Sequence, residues 1–340
     1  MRTTFARSDA PSRVYWEVTR ACGFACRHCG TEATHRAEAD ELDTAAGIRL
    51  LEQLSVANPR PAVVLTGGDP VERADLVALI VAARACGLRM SVSASATPAL
   101  TQTVIRSLRD SGVDAISLSL DGSTADRHDG LARVGGTFAR AVAAAAHARE
   151  VDLAFEVNTL VTAETVLDVP DVERLVRQLG AARWSLFFPV TVDGATVLEP
   201  IDVSSADELL VWVAGRGMSR SGPAIAPAEA PFYRSIVGDC GAAPRKGDAA
   251  GAREDGGVMF IGHDGDVFPS GFLAGSSGNV LRDHPLALYR KSATIRALRK
   301  ADSALRRCGR CQVRNACGGP RTRPWARTGD TPGVARHEPS

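Results

Sequence analysis

The sequence predicts an α/β fold, a partial (β/α)6 barrel followed by a small cysteine-rich domain. From residue 14 to about residue 215, short apolar runs typical of β-strands alternate with longer Ala-rich runs of helical periodicity. No repeat or low-complexity segment interrupts this alternation, and three cysteines cluster near the C-terminal end, at residues 308–317. Alternating strands and helices build a parallel sheet covered by helices, so residues 14–215 are expected to form one layered unit.

Six strands are expected in this unit. In order they are "VYWEVT", "AVVLT", "LRMSVSAS", "DAISLSLD", "LAFEVNTL" and "WSLFFPV". Helical stretches such as "TAAGIRLLEQL", "LTQTVIRSLRDSG" and "TFARAVAAAAHARE" lie between them. Six units are fewer than the eight of a closed barrel, which favours an open partial barrel. An antiparallel sheet with one solvated face is the alternative, and the helical crossovers disfavour it.

The patterns divide the chain of 340 residues into four segments. Residues 1–13 are expected to form an N-terminal tail and residues 14–215 the barrel. Residues 216–325 are expected to form the cysteine-rich domain, and residues 326–340 a C-terminal tail. One main domain with a smaller companion agrees with ordinary domain sizes.

The composition excludes several classes of function. Lys and Arg number 40 against 39 Asp and Glu, so no field of one sign is available to hold nucleic acid or acidic lipid. The N-terminus lacks a signal-peptide core, and no apolar stretch is long enough to span a bilayer, so we expect a cytoplasmic protein. In that reducing compartment, clustered cysteines indicate metal or redox chemistry rather than disulfides.

Polar residues recur on one face of several strands, because alternate residues of a strand share a face. Ser117, Ser119 and Asp121 alternate with apolar residues on the fourth strand, and Ser91, Ser93 and Ser95 do so on the third. On the first and fifth strands the face carries Glu17, Glu156 and Asn158. A barrel with a packed interior would present branched apolar side chains there, so we expect a lumen that binds a ligand. These last three residues are the candidate catalytic residues, and a structural partnership with a loop amide or an arginine is the alternative for Glu17.

Three cysteines follow the first strand in the stretch "CGFACRHC". Cys22, Cys26 and Cys29 are able to ligate three corners of a cubane iron-sulfur cluster and to leave its fourth iron open. A structural zinc site would need a fourth Cys or His nearby, a place for which only His28 is available. The loop lies at the C-terminal end of its strand, where sheets of this kind place their chemistry.

The spacing Cys-x3-Cys-x2-Cys after a first strand resembles that of the radical S-adenosylmethionine (SAM) enzymes, over about residues 13–325. Gly67, Gly68 and Asp69 stand where this family has Gly-Gly-Glu, which implies that they receive the amino group of SAM. Aspartate shortens the side chain by one methylene and keeps its charge. His28 stands where the family usually has an aromatic residue, which implies a position against the adenine.

The resemblance also implies contacts of other strand ends with SAM. Ser119, Asp121 and Arg133 match a region whose serine and arginine contact the SAM ribose and carboxylate, and Ser93 and Ser95 are further candidates for the ribose. A hydroxyl suits a ribose, and the fork of an arginine suits a carboxylate.

The cofactors implied are therefore SAM and a [4Fe-4S] cluster that binds it. One electron, supplied by a donor such as flavodoxin or ferredoxin, cleaves SAM to a 5'-deoxyadenosyl radical that removes hydrogen from a substrate. The implied role of the polypeptide is to position the reactants in a dry chamber.

A second group of cysteines lies in "CGRCQVRNACGG". Cys308, Cys311 and Cys317 resemble the SPASM or twitch extension that carries auxiliary clusters in many radical SAM enzymes. Two cysteines of the full pattern are absent, since Ser270 and Arg321 occupy their positions.

The missing cysteines imply a single auxiliary [4Fe-4S] cluster. Cys240 is the candidate for its fourth ligand, against the alternative of an ordinary solvent-facing cysteine. An open iron, a ligand other than cysteine or a longer natural chain are the remaining possibilities.

Three stretches, "EVTRACGFACRHC", "EAPFYR" and "CGGPRTRPWARTGD", resemble a SPASM branch related to heme maturation that also includes natural-product enzymes. The main hypothesis is a small polar substrate, a sugar or nucleoside, in antibiotic biosynthesis; the cytosylglucuronic acid step of blasticidin-type antibiotics is one candidate. Dehydration, dehydrogenation, epimerisation and decarboxylation all begin with the same hydrogen abstraction. Only about a dozen residues precede the first strand, so no leader-peptide module is expected. The alternatives are modification of a porphyrin side chain or a ribosomal peptide, and a zinc-binding interaction protein.

Overall fold

A computed structural model describes residues 9–24, 26, 27, 29, 33–189, 198–217, 222–227, 257–271, 273 and 275–299. The strands of these residues form one sheet in the order β7-β6-β5-β4-β3-β2-β1-β8-β9. They are β1 (Arg13–Thr19), β2 (Ala62–Gly67), β3 (Arg89–Ser93), β4 (Ala115–Ser119), β5 (Ala154–Leu160), β6 (Arg183–Phe187), β7 (Ala224–Pro227), β8 (Val258–Ile261) and β9 (Val267–Phe268). Neighbouring strands are parallel, except that β9 is antiparallel to β8.

Helices connect the strands. They are α1 (Thr44–Ser55), α2 (Leu76–Ala85), α3 (Gln102–Asp110), α4 (Ala125–Ala132), α5 (Thr137–Glu150), α6 (Val169–Leu179), α7 (Val203–Gly217), α8 (Pro285–Lys291) and α9 (Ala293–Arg299). Side-chain caps start several of them: for example, Asp43 accepts from the Ala46 amide at 2.7 Å, and Thr101 accepts from the Val104 amide at 3.3 Å. None of the described helices is long and apolar enough to cross a membrane.

The core lies between the sheet and the helices. Val14, Trp16 and Val18 of β1 are fully buried on the helix-facing side. A Cβ at Gly47 of α1 would lie 2.7 Å from the Trp16 ring, so the helix approaches the strand closely because this position carries no side chain. The opposite face of β1 is thereby left for the polar residues predicted to line the lumen.

A buried arginine fixes the C-terminal end of β1. Arg73 donates to the carbonyl oxygens of Val18 and Leu42, each at 2.6 Å, and to Asp75 at 2.6 Å. Burial would raise the pKa of Asp75, but hydrogen bonds from Arg73 and Thr44 outweigh it and lower that pKa. The point where β1 passes into the cysteine loop is therefore tied to the start of α1.

The fold class predicted from the sequence is confirmed, and all six predicted strands are present. Three of them end earlier than predicted, among them β4, which ends at Ser119 instead of Asp121. β3 ends at Ser93 because the Ser95 amide donates to the side chain of Asp69 instead of to a strand. β6 ends at Phe187, shortly before Pro189, which has no N–H to continue a ladder.

The sheet also extends past the predicted barrel at both edges. β7 pairs with β6, and β8 pairs with β1, although both follow residue 215. The domain boundaries stay predictions.

Candidate active site

The loop that carries Cys22, Cys26 and Cys29, called the cysteine loop below, begins where β1 ends. Backbone hydrogen bonds join its beginning to its end. The Cys22 amide donates to the Thr34 carbonyl at 2.8 Å, and the Thr34 amide donates back to the Arg20 carbonyl at 2.9 Å. A further bond joins the Arg27 amide to the carbonyl of Leu131 in α4, at 3.1 Å. The loop is thus anchored at its base and along α4, at the C-terminal edge of the sheet.

The three thiols of the loop differ in exposure, from buried Cys22 through half-buried Cys26 to exposed Cys29. Burial raises the pKa of Cys26 to about 12, and the charges of the other two cysteines and of Asp121 act in the same direction. Burial also raises the pKa of Cys22. Thiols that raise one another's pKa lie close enough for their thiolate charges to repel. A bound metal cation would offset that repulsion and stabilise the thiolates.

No three Cys, His, Asp or Glu side chains converge closely enough to hold a metal ion within the described part of the chain. Ligands of a cubane cluster bind different iron atoms, so three thiols need not meet at one point to hold it.

The two glycines after β2 lie against the backbone that enters the cysteine loop. A Cβ at Gly67, where φ is +135°, would lie 2.1 Å from the Thr19 carbonyl oxygen. A Cβ at Gly68 would lie 2.3 Å from the carbonyl oxygen of Ala21. Only glycine permits this approach, so the Gly-Gly pair sets the distance between the β2 end and the cysteine loop.

Asp69 follows these glycines and is fully buried, with its carboxylate bonded to protein donors. It accepts from Thr97 Oγ1 at 2.8 Å, from the Val71 amide at 3.2 Å and from the Ser95 amide at 3.3 Å. Burial raises its pKa to about 6, against the effect of these hydrogen bonds. Asp69 therefore joins the ends of β2 and β3, and a contact with SAM stays a prediction.

Asp121 lies two residues past the end of β4 and is hydrogen-bonded to one backbone and one side-chain partner. Its side chain accepts from the Leu160 amide at 2.8 Å, and its own amide donates to Nδ1 of His128 at 3.0 Å. Ser119 on the same strand is exposed. Asp168, buried after β5, accepts from the Ser123 amide at 2.7 Å and from its hydroxyl at 2.6 Å, which holds the loop after β4.

Arg133 follows α4 in the left-handed conformation, with φ at 56°. This conformation is uncommon outside glycine and is found where neighbouring structure enforces it. Asp129 does so here, since its carboxylate accepts from the Gly136 amide at 2.6 Å, from Thr137 Oγ1 at 2.6 Å and from the Phe138 amide at 2.8 Å. The exposed Arg133 is thus held by a fixed turn, two residues after Leu131, whose carbonyl accepts from the Arg27 amide of the cysteine loop.

The register of the parallel strands aligns the predicted polar face in rows. Ser93, Ser117 and Glu156 stand side by side on β3, β4 and β5, and the row continues to Arg183 on β6. The Nε of Arg183 lies 3.4 Å from the Glu156 carboxylate. One level nearer the C-terminal edge, Asn158 stands between Ser119 and Ser185.

Glu17 is buried on β1 and contacts a residue that the sequence reasoning missed. Nδ1 of His263, just past β8, lies 3.1 Å from the Glu17 carboxylate. On the other side the Cγ of Glu17 lies 3.3 Å from the position of a Cβ on Gly67. The missed residues His263, Asp129 and Asp168 carried no signal in spacing or periodicity, because their contacts join elements far apart in sequence.

Comparison with known proteins places the chain in a family. The sequence profile of the Radical SAM superfamily matches residues 16–182. An AdoMet-dependent heme synthase of Oleidesulfovibrio alaskensis is 33% identical over 343 residues, which cover 96% of this chain and 87% of that protein. The chain belongs to the radical SAM superfamily. This confirms the family resemblance carried by the cysteine spacing and identifies the protein as a radical SAM enzyme.

A second relative agrees with this assignment, and a solved structure shares the fold. The AdoMet-dependent heme synthase of Nitratidesulfovibrio vulgaris is 31% identical to this radical SAM enzyme, over 97% of this chain and 92% of that protein. The crystal structure of Streptococcus suis SuiB bound to S-adenosylmethionine superposes with a TM-score of 0.73 at 16% identity, covering 92% of this chain and 73% of that chain. This likeness shows the shared partial-barrel fold.

Membership of the superfamily implies a [4Fe-4S] cluster and SAM as cofactors. The donor set of this radical SAM enzyme fits the cluster, since three thiols from one loop occupy the C-terminal edge of the sheet. The Gly67–Gly68 backbone lies against the start of that loop, and the SAM contacts predicted for these glycines and for Arg133 stay predictions. His28, Cys240, Cys308, Cys311 and Cys317 lie outside the described residues, so the roles predicted for them stay predictions.

Proposed function

We propose that this enzyme uses SAM radical chemistry to decarboxylate a porphyrin propionate. The observation that carries the proposal is the identity of 33% and 31% to two AdoMet-dependent heme synthases, over nearly the whole chain in both cases. The porphyrin alternative is therefore favoured over the sugar or nucleoside substrate expected from the sequence, and no comparison supports a role in antibiotic biosynthesis.

The cofactors are proposed to lie at the C-terminal edge of the sheet. Cys22, Cys26 and Cys29 would ligate the cluster. The residues proposed to contact SAM are His28, Gly67, Gly68, Asp69, Ser93, Ser95, Ser119, Asp121 and Arg133. When bound, the pair supplies a radical that removes one hydrogen atom from the substrate.

The chain's own residues would bind the propionate and keep water away from it. Arg183 on β6 faces Glu156 at 3.4 Å in the polar row and provides a cation that a substrate carboxylate is able to approach. Asn158, one level nearer the C-terminal edge, provides a neutral amide. Glu17 closes the lumen on the β1 side, where it is 5% exposed. These three residues, Glu17, Glu156 and Asn158, are the proposed catalytic residues.

The reaction needs an electron acceptor as well. A propionate that becomes a vinyl group loses one hydrogen atom, one carbon dioxide and one further electron. Cys308, Cys311 and Cys317 are proposed to hold one auxiliary cluster, with Cys240 as the candidate fourth ligand. Ser270, two residues past β9, stands at a cysteine position of the full pattern, and this missing cysteine supports a single cluster.

The test uses iron coproporphyrin III deuterated in its propionate side chains, incubated anaerobically with the reconstituted enzyme, SAM and dithionite. We expect deuterium in 5'-deoxyadenosine and a porphyrin that has lost carbon dioxide, both read by mass spectrometry. A parallel incubation contains deuterated cytosylglucuronic acid. Label transfer from the nucleoside and none from the porphyrin would contradict the proposal.

A further inference from the structure

His263 joins the strand that follows the barrel to the carboxylate in the lumen. It lies two residues past β8, which pairs with β1 along Arg13–Trp16. Its Nδ1 is 3.1 Å from Oε2 of Glu17, and its carbonyl oxygen accepts from the Leu42 amide at 2.8 Å. His263 is therefore held in place by one contact of its main chain and one of its ring.

The two sides of the ring face different environments. Glu17 is buried, whereas Asp40, whose Oδ1 lies 3.4 Å from Nε2 of His263, has 68% of its side chain exposed. A buried carboxylate needs a hydrogen-bond donor far more than an exposed one does, because water serves the exposed group. The Nδ1 contact is thus the one with energetic weight.

Among the residues that the structure describes, no other group near Glu17 replaces this donor. The Nε of Arg20 lies 3.7 Å from Oε2 of Glu17, beyond hydrogen-bond distance. The Thr19 hydroxyl and the Arg20 amide, two nearby donors, bond instead to the carboxylate of Glu41, at 2.7 and 3.0 Å. The hydrogen bond that orients the Glu17 carboxylate comes from His263.

We propose that His263 is a positioning residue that holds the Glu17 carboxylate in the lumen through its Nδ1. The role assigned to it is exercised through Glu17 and requires no contact of His263 with the substrate. The inference rests on the proposed function, because substrate turnover is one of its readouts. If it holds, the segment after β8 contributes a residue to the site formed by β1 and β2.

Two amide substitutions distinguish the contribution of Nδ1 from that of Nε2. His263→Asn keeps a side-chain N–H near the place of Nδ1, and His263→Gln keeps one near the place of Nε2. The measurement is the ratio of decarboxylated porphyrin to 5'-deoxyadenosine. We expect a loss of about tenfold or more with Gln, as for the loss of one hydrogen bond to a charged group, and a value near that of the parent with Asn.

Asp40→Asn is the matched control, because it alters the exposed partner of the same ring and should leave the ratio unchanged. The double variant Glu17→Gln/His263→Gln should be no worse than Glu17→Gln alone, since a positioning residue has no effect once its target is changed. Equal losses with Asn and Gln, a parental ratio with Gln or multiplicative losses in the double variant would overturn the proposal.

A substrate-free readout keeps this proposal distinct from the proposed function. Thermal unfolding midpoints are measured for the parent, Glu17→Gln, His263→Gln and the double variant. If the Glu17–His263 contact exists, the shifts of the two single variants should not add up to the shift of the double variant. Additive midpoints would overturn the positioning role even if porphyrin turnover is found. Absence of porphyrin turnover together with non-additive midpoints would contradict the proposed function and leave the contact supported.

Discussion

Replacing Cys22, Cys26 and Cys29 together by alanine is expected to reduce SAM cleavage to the assay background. The three thiols are the only cysteines at the C-terminal edge of the sheet among the described residues, and a cluster that lacks all three has no protein ligands there. The variant should also lose about four iron atoms per chain, the content of one cubane, from a parent that holds about eight if the auxiliary cluster is present. Release of 5'-deoxyadenosine and methionine, with iron analysis, measures both effects.

Cys86→Ala provides the control for thiol loss in general. Cys86 ends α2, away from the loop, and is half-buried like Cys26. It should retain the iron content and the SAM cleavage of the parent. SAM cleavage by the triple variant at the parental rate would show that the loop does not hold the cluster.

Glu17→Gln is expected to reduce substrate-dependent turnover strongly while SAM cleavage without substrate continues. The amide keeps the size of the side chain but removes the charge that His263 contacts at 3.1 Å. The measurement compares 5'-deoxyadenosine with porphyrin product in the same incubations. We expect their coupling to fall by roughly tenfold or more, in line with the loss of a hydrogen bond to a charged group.

Glu52→Gln, on the exposed side of α1, is the matched control and should behave as the parent. Loss of the cluster from the Glu17 variant, with turnover lost in proportion, would make Glu17 a structural residue. Retention of full coupling would remove it from the catalytic residues.

Much of the barrel could be predicted because its signals are local. The alternation of Ser93, Ser117 and Glu156 with apolar neighbours fixed which face of each strand is polar, since a strand has a period of two. Parallel pairing then placed these residues in one row, as the register shows. The cluster ligands could likewise be predicted from the cysteine spacing, because all three lie in one short loop.

What could not be predicted depends on contacts between distant segments. β8 is only four residues long, and its pairing with β1 brings His263 to Glu17, 246 positions away in sequence. The requirement for glycine at positions 67 and 68 also comes from tertiary contacts. The carbonyl oxygens that exclude a side chain there belong to the end of β1 and the start of the cysteine loop. The turn that holds Arg133 in the left-handed region depends on Asp129, whose role no motif indicates.

The central claim is that the cysteine loop after β1 holds a cluster with one iron left for SAM. Electron paramagnetic resonance of the dithionite-reduced enzyme, recorded anaerobically with and without SAM, tests it most directly. Subtraction of the spectrum of the triple cysteine variant isolates the signal of the loop from that of any auxiliary cluster. The account predicts that SAM shifts the isolated signal. A signal that SAM leaves unchanged, or zinc in place of iron in this loop, would contradict it.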